Sequence, residues 1–183
     1  MLSASVDGWF TLPLTVPNYL AGFVGKPVLP LDAPEVSAAI ERVQKRTDAL
    51  LNCGGTHRPE WFHRKLGDIL YEGCGVARDE AGLLDALTKV RELREEFWRD
   101  VKVVGTGNRL NQELEKAGRV ADFIELGEVM ILDALDRRES AGAHFRNEYA
   151  TEAGEAKRND GDWCAVSAWE TRPDLSLIHI SEP

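Results

Sequence analysis

The densest run of residues able to do chemistry lies late in the chain, at Arg137-Arg138-Glu139-Ser140-Ala141-Gly142-Ala143-His144-Phe145-Arg146. A carboxylate, an imidazole and guanidinium groups this close together could move a proton or form strong ion pairs. They do not make a hydrolytic set, because the serines are scattered and no G-x-S-x-G elbow occurs. The run follows directly on the most apolar helical pattern of the chain. Arg137 and Arg138 therefore fall near a helix C-terminus, where exposed carbonyls favour cations. Two readings follow. One is a helix cap succeeded by a solvated loop, the usual fate of charge clusters. The other is a docking loop in which Glu139, His144 and Arg146 form ion pairs across a domain interface, with Gly142 allowing the turn that aims Glu139 and Arg146 the same way. On that reading the three side chains are solvated, and nearly neutral for stability, in the chain alone. No residue is assigned a catalytic, cofactor-binding or metal-binding role.

A second group, Cys53, His57, His63 and Cys74, offers thiolate and imidazole, the ligands zinc prefers. The spacing fits no standard finger, and two of the four sit on different predicted helices, so buried small residues and surface histidines are expected instead. Gly105-Thr106-Gly107 has the glycines of a phosphate loop but lacks the lysine and the preceding strand, and reads as a helix-to-helix turn.

The elements that must position these residues are helical. Leu2 to Val24 is apolar and aromatic, but Pro13 and Pro17 make an unbroken helix doubtful. After a proline-rich connector, Asp32 begins a helix, with Pro34 in its first turn and Glu35 completing a capping-box pattern. Val36, Ile40, Val43 and Leu50 form its stripe, and Gly54-Gly55 ends it. A further helix starts near Pro59, with Phe62, Leu66, Ile69 and Leu70 at helical spacing. The next runs from about Asp79 to Val101, with Leu83, Leu87, Val90, Phe97 and Val101 inward. The last long helix runs from about Leu110 to Leu135. It carries one stripe through Leu110, Leu114, Ala117, Ala121, Ile124, Ile131 and Leu135 and a second through Val120, Phe123, Leu126, Val129 and Met130, so neighbours are expected on both sides. The three long helices would form an antiparallel bundle with this one central. Glu139 to Asp162 has no sustained period, and Trp163 to Trp169 reads as one short, isolated strand.

Bulk properties exclude several classes. A chain of 183 residues with 43% hydrophobic and 29% charged residues can bury a real core. A net charge of -9 argues against a nucleic-acid partner and gives no support to a polybasic membrane contact. Three cysteines do not make a disulfide framework, which favours a reducing compartment. No apolar run approaches a bilayer span, and Met1 to Leu14 holds Asp7 but no Lys or Arg, unlike a signal peptide. The crowding of Val6, Trp9, Phe10, Leu12 and Leu14 suggests a segment meant to be covered.

Glu139-Ser140-Ala141-Gly142-Ala143-His144-Phe145-Arg146 resembles the E-S-x-G-x-H-x-R signature of the succinate dehydrogenase/fumarate reductase flavoprotein family. Val6 to Pro13 is similar to the segment after that family's last flavin-contacting loop, and Leu70 to Arg78 to the end of its first bundle helix. Leu93 to Trp98 and Glu115 to Asp122 resemble a bacterial variant, and Trp163 to Glu170 the aromatic strand that follows. The match covers about residues 2 to 172. It implies a C-terminal fragment of a subunit that holds FAD and interconverts succinate and fumarate, passing electrons through an iron–sulfur subunit to a membrane anchor. That places the parent in the cytoplasm, at the inner membrane's cytoplasmic face, through its partner subunits. The family's dinucleotide fold, flavin-attachment histidine, substrate-binding His and Arg and proton-donating arginine all lie upstream of the segment resembling Met1. Only Met1 and Leu2 fall at the edge of the flavin-contacting loop. The fragment alone is therefore expected to bind no FAD and to be inactive.

The expected fold is mainly α, an antiparallel bundle of about three main helices with N-terminal helical segments and a C-terminal irregular region holding one short strand. Residues 1–55 would be the end of the flavin-binding domain and a connecting helix, 56–138 the bundle, and 139–172 the docking loop and strand. Residues 173–183, ending Leu175 to Pro183, resemble a translated sequencing adapter and are expected to be a non-native tail; a genuine edge strand is the other reading. The rival function is an independent all-α protein-interaction module.

Overall fold

The computed structural model describes residues 5–164, 166–171 and 177–182. The expectations placed on Met1, Leu2 and residues 172–176 lie outside them. The chain divides into two compact units, Met1–Val43 and Gln44–Pro183.

In the first unit a π-helical turn, Asp7–Thr11, leads directly into α1 (Leu12–Ala21). The helix that the prolines made doubtful does form. Pro13 sits in its first turn, where no intrahelical N–H is needed. Pro17 lies inside it, removing only the bond that would reach Pro13, while the Thr15 hydroxyl donates to the Thr11 carbonyl at 2.7 Å. No α1 side chain is buried: Tyr19 is 75% exposed, Trp9 in the turn before it 80% and Val28 in the connector after it 92%. α2 (Pro34–Asn52) carries the chain into the second unit. It begins two residues after Asp32, with Ala33 as the first acceptor, its carbonyl taking the Ser37 N–H at 3.0 Å. Of its expected stripe only Leu50 is buried, while Ile40 and Val43 are exposed.

The core belongs to the second unit. α3 (Pro59–Gly73), α4 (Glu80–Asp100) and α5 (Gln112–Asp136) pack pairwise, each against both others. Each has the start its sequence dictates: Pro in the first turn of α3, the Asp79 carboxylate accepting from the Gly82 N–H before α4, and the Asn111 side chain accepting from the Glu113 and Leu114 N–H groups before α5. Phe62, Leu83, Val90, Leu93, Phe97, Val101, Ile124 and Ile131 are sealed from water. Phe62 and Phe97 meet edge to face, centroids 5.2 Å apart. The arrangement is a triangle, so α5 is not a central rod. Its first stripe fills the core from Ala117 to Ile131, though Leu110 is exposed, and Val120 of the second is buried, whereas Phe123, Leu126 and Met130 are 40 to 54% exposed. Two neighbours on one side cover most of the first stripe and only the edge of the second.

The loop from Cys53 is strapped to the end of α4. Gly55 N–H donates to the Val101 carbonyl and His57 N–H to that of Asp100, both at 3.2 Å, and Lys102 N–H donates to His57 at 2.8 Å. A Cβ on Gly55 would lie 2.0 Å from Asp100 backbone atoms, so only glycine passes there. Strand β1 (Ala77–Arg78), between α3 and α4, pairs in parallel with β2 (Phe145–Arg146).

The short strand expected at Trp163 to Trp169 is displaced and is not isolated. Asp160–Trp163 forms a single helical turn, and β3 (Val166–Thr171) pairs antiparallel with β4 (Leu177–Glu182), running from Val166↔Glu182 to Thr171↔Leu177. The physical reason is that a lone strand leaves its backbone groups unpaired, and the apolar tail supplies the partner. Among the described residues no helix is long and apolar enough to cross a membrane.

Candidate functional site: the charged loop after the last long helix

Residues 137–149 leave α5, turn at Gly142 and return as β2. Gly142 has φ +59°, the left-handed conformation a glycine adopts without strain. The turn is closed by reciprocal backbone bonds between Ala141 and His144 at 2.8 and 3.1 Å.

Arg146 is 2% exposed and the largest fully buried side chain of the described chain. Its Nη1 donates to the Ala134 and Leu135 carbonyls at 2.8 and 3.3 Å, satisfying acceptors that the end of α5 leaves open. Its Nε donates to Glu148 at 3.1 Å. Glu148 in turn accepts the first N–H of α4, from Glu80, at 2.5 Å. A cation thus stands at the negative end of one helix, an anion at the positive end of another, and the two are joined. Burial raises the Glu148 carboxyl, but the backbone amides and Arg146 outweigh this and hold it below its ordinary value.

Ser140 is wholly buried and ties the two sides of the loop. Its hydroxyl accepts the Arg146 N–H at 2.8 Å and donates to the Arg146 carbonyl at 3.1 Å. Glu139, 2% exposed, accepts from Arg137 Nε and Nη2 at 2.9 and 2.5 Å and from the Asn159 N–H at 2.8 Å. Burial pushes its carboxyl up, yet the Asn159 amide and Arg137 bring the net value below the ordinary one. His144 is half-buried, its Nε2 3.1 Å from the Arg137 carbonyl and its Nδ1 3.3 Å from Arg78 Nη1. Burial and the surrounding guanidinium charges lower its basicity, against the opposing effect of the Arg137 carbonyl.

The structure thus gathers Glu139, His144 and Arg146 into one network but corrects the expectation that they are solvated in this chain. Each already has partners here, because a loop that must close two helix ends buries its charges only when they are paired. Sequence reasoning missed Ser140, Arg78, Glu148 and Asn159. Ser140 and Glu148 lie within or beside the quoted run, where the Arg146-x-Glu148 spacing was the available signal; Arg78 and Asn159 arrive by folding.

The other candidates lie apart from this loop. His57 Nδ1 meets Asp100 at 2.5 Å and its ring stacks on Trp61 at 4.1 Å. Thr56 also donates to Asp100 from its hydroxyl and backbone N–H. The His57 and Thr56 bonds hold the Asp100 carboxyl down at about 2. His63 stacks on Phe123, Cys53 Sγ lies 3.5 Å from the Trp98 carbonyl, and Cys74 is buried, which pushes its thiol up. Among the described residues no three metal-ligating side chains converge.

The inward-turned Glu-Ser…His…Arg loop thus closes one end of the triangular helical bundle. The family model described as "Fumarate reductase flavoprotein C-term" matches residues 63–181, and the chain belongs to that family. It is 28% identical over 114 residues to the fumarate reductase flavoprotein subunit of Haemophilus influenzae, covering 62% of this chain and 19% of that protein. It is 26% identical over 126 residues to the succinate dehydrogenase flavoprotein subunit of Bacillus subtilis, covering 69% and 20%. The fold matches that of an E. coli quinol fumarate reductase FrdA variant with a TM-score of 0.70 at 24% identity, over 82% of this chain and 25% of that one. The chain spans about a fifth of the length of these curated relatives.

Proposed function

We propose that this chain is the C-terminal part of an FAD-holding oxidoreductase subunit that interconverts succinate and fumarate, in which it serves as a structural and assembly element. The observation that carries this reading is the family match to a region amounting to about a fifth of its relatives. The unburied α1 supports it, because so many exposed aromatic and aliphatic side chains call for a covering surface. The remainder of the flavoprotein subunit is the proposed cover. The iron–sulfur subunit, and through it a membrane anchor, are the proposed further partners, at the cytoplasmic face of the inner membrane.

The described residues do not fit FAD. The parallel pairings among them are the two-residue β1–β2 ladder and the single His57–Val101 bridge, with no strand, glycine loop and helix arranged to cradle a pyrophosphate. These observations support the reading in which the flavin chemistry belongs to the upstream part of the parent and the chain alone is inactive. Glu139, His144 and Arg146 contribute to docking indirectly, by fixing the shape of the loop that presents exposed Arg138, Gly142 and Ala143. The coding DNA provides the test. An open frame running upstream through a G-x-G-x-x-G motif is expected; a ribosome-binding site directly before Met1 would favour the independent interaction module.

A further inference from the structure

We propose that His144 is a pH-sensitive latch for the 139–149 loop: its neutral ring ties the end of α5 to β1, and protonation releases that tie.

The two ring contacts fix the proton inventory. A carbonyl can only accept, so Nε2 carries the hydrogen toward Arg137 O at 3.1 Å. A guanidinium can only donate, so Nδ1 must be the bare nitrogen facing Arg78 Nη1 at 3.3 Å. Both bonds exist together only in the neutral ring with hydrogen on Nε2. Adding a proton at Nδ1 sets N–H against N–H and cation against cation.

The charges around the ring reinforce this. Arg78 faces it from β1, Arg137 from the end of α5, and Arg146 from β2. Arg137 is taken up by Glu139 and Arg146 by Glu148. Asp79, beside Arg78 in sequence, is turned away to cap α4 at the Gly82 N–H. Among the described residues no carboxylate pairs with Arg78, whose other bond is to the Gly75 carbonyl at 2.9 Å. The positive charge nearest the ring is therefore the least neutralised, and burial adds to the penalty on a charged imidazole.

Release has a defined reach. His144 lies one residue before β2, whose pairing Ala77↔Phe145 and Arg78↔Arg146 fastens the loop to the α3–α4 connection. Because the folded ring is less basic than its ordinary 6.5, the open loop takes up the proton first. The closed form therefore loses ground as pH falls below that value and is unaffected above it.

The test is amide hydrogen exchange by NMR on the whole chain, corrected for the intrinsic pH dependence of exchange. It follows the Ala141, His144 and Arg146 amides, all bonded within the loop, against Leu87 and Val90 in α4. Between pH 7.5 and 5.5 the loop opening constant is expected to rise, by at most about tenfold, with α4 unchanged and with no rise in His144→Gln. A pH-independent loop in the wild type, or an equal rise in His144→Gln, overturns the latch. Arg78→Gln supplies an independent arm should His144→Gln fail to fold. Its His144 ring protons should titrate at higher pH than in the wild type, and an unchanged titration contradicts the proposed opposition between the two groups.

Discussion

The Met1–Val43 and Gln44–Pro183 units hold similar apolar residues and use them in opposite ways. In the second, Phe62, Leu83, Val90 and Phe97 are sealed among three helices. In the first, Trp9, Phe10, Leu12, Leu14 and Tyr19 stay open, and α1 buries nothing. Helical patterning says that a face wants cover; it does not say where the cover is. The bundle finds cover within the chain, and the N-terminal unit is proposed to find it in the rest of a longer subunit.

The contrast can be broken most severely in the core. Phe97→Ala removes a fully buried ring that meets Phe62 edge to face, and should cost about 3 to 5 kcal/mol in urea unfolding. A loss under about 0.5 kcal/mol, the surface range, would take the contrast apart. Arg146→Ala comes next. It strips two carbonyls of α5 and leaves Glu148 without its guanidinium, at an expected cost of about 2 to 4 kcal/mol in the chain alone. A neutral result would return Arg146 to the solvated docking role first expected of it.

A smaller effect is expected from pH. Asp100 has a folded value of about 2 against an ordinary 3.8. Its contribution is complete above the ordinary value and is lost as pH falls from there toward 2. Asp100→Asn should flatten that part of the urea-midpoint profile, and unchanged steepness would show that the His57–Asp100 strap contributes nothing. Smallest of all, deleting residues 1–43 should leave bundle stability within about 0.5 kcal/mol while lowering the binding of an apolar dye. A large loss of stability would show that the bundle depends on the first unit.

Most of the helical frame was legible in the sequence, because Pro59, Asp79 and Asn111 mark helix starts and the core stripes keep a helical period. Pro17 misled because a proline costs a helix one bond and one clash, which a short exposed helix can absorb. The second stripe of α5 misled because its period is real but only Val120 in the core and Phe123 against His63 find a neighbour, while Leu126 and Met130 stay exposed. β3 gained a partner because the adjacent apolar tail, expected to be non-native, pairs with it from Thr171↔Leu177 onward. In the charged loop, the residue types were visible and their direction was not. Whether Arg146 points outward or under the end of α5 depends on how Gly142 and Ser140 fold the chain back, and Arg78 reaches His144 only through the β1–β2 pairing.

The measurement that bears most directly on the account is flavin retention by the purified chain. After incubation with excess FAD and gel filtration, the protein peak should carry no yellow chromophore and should not convert succinate to fumarate with an artificial electron acceptor, since the described residues offer no cradle for a dinucleotide. Stoichiometric flavin on the protein peak, with or without turnover, would contradict the claim that this chain is the structural part of an enzyme whose chemistry lies upstream.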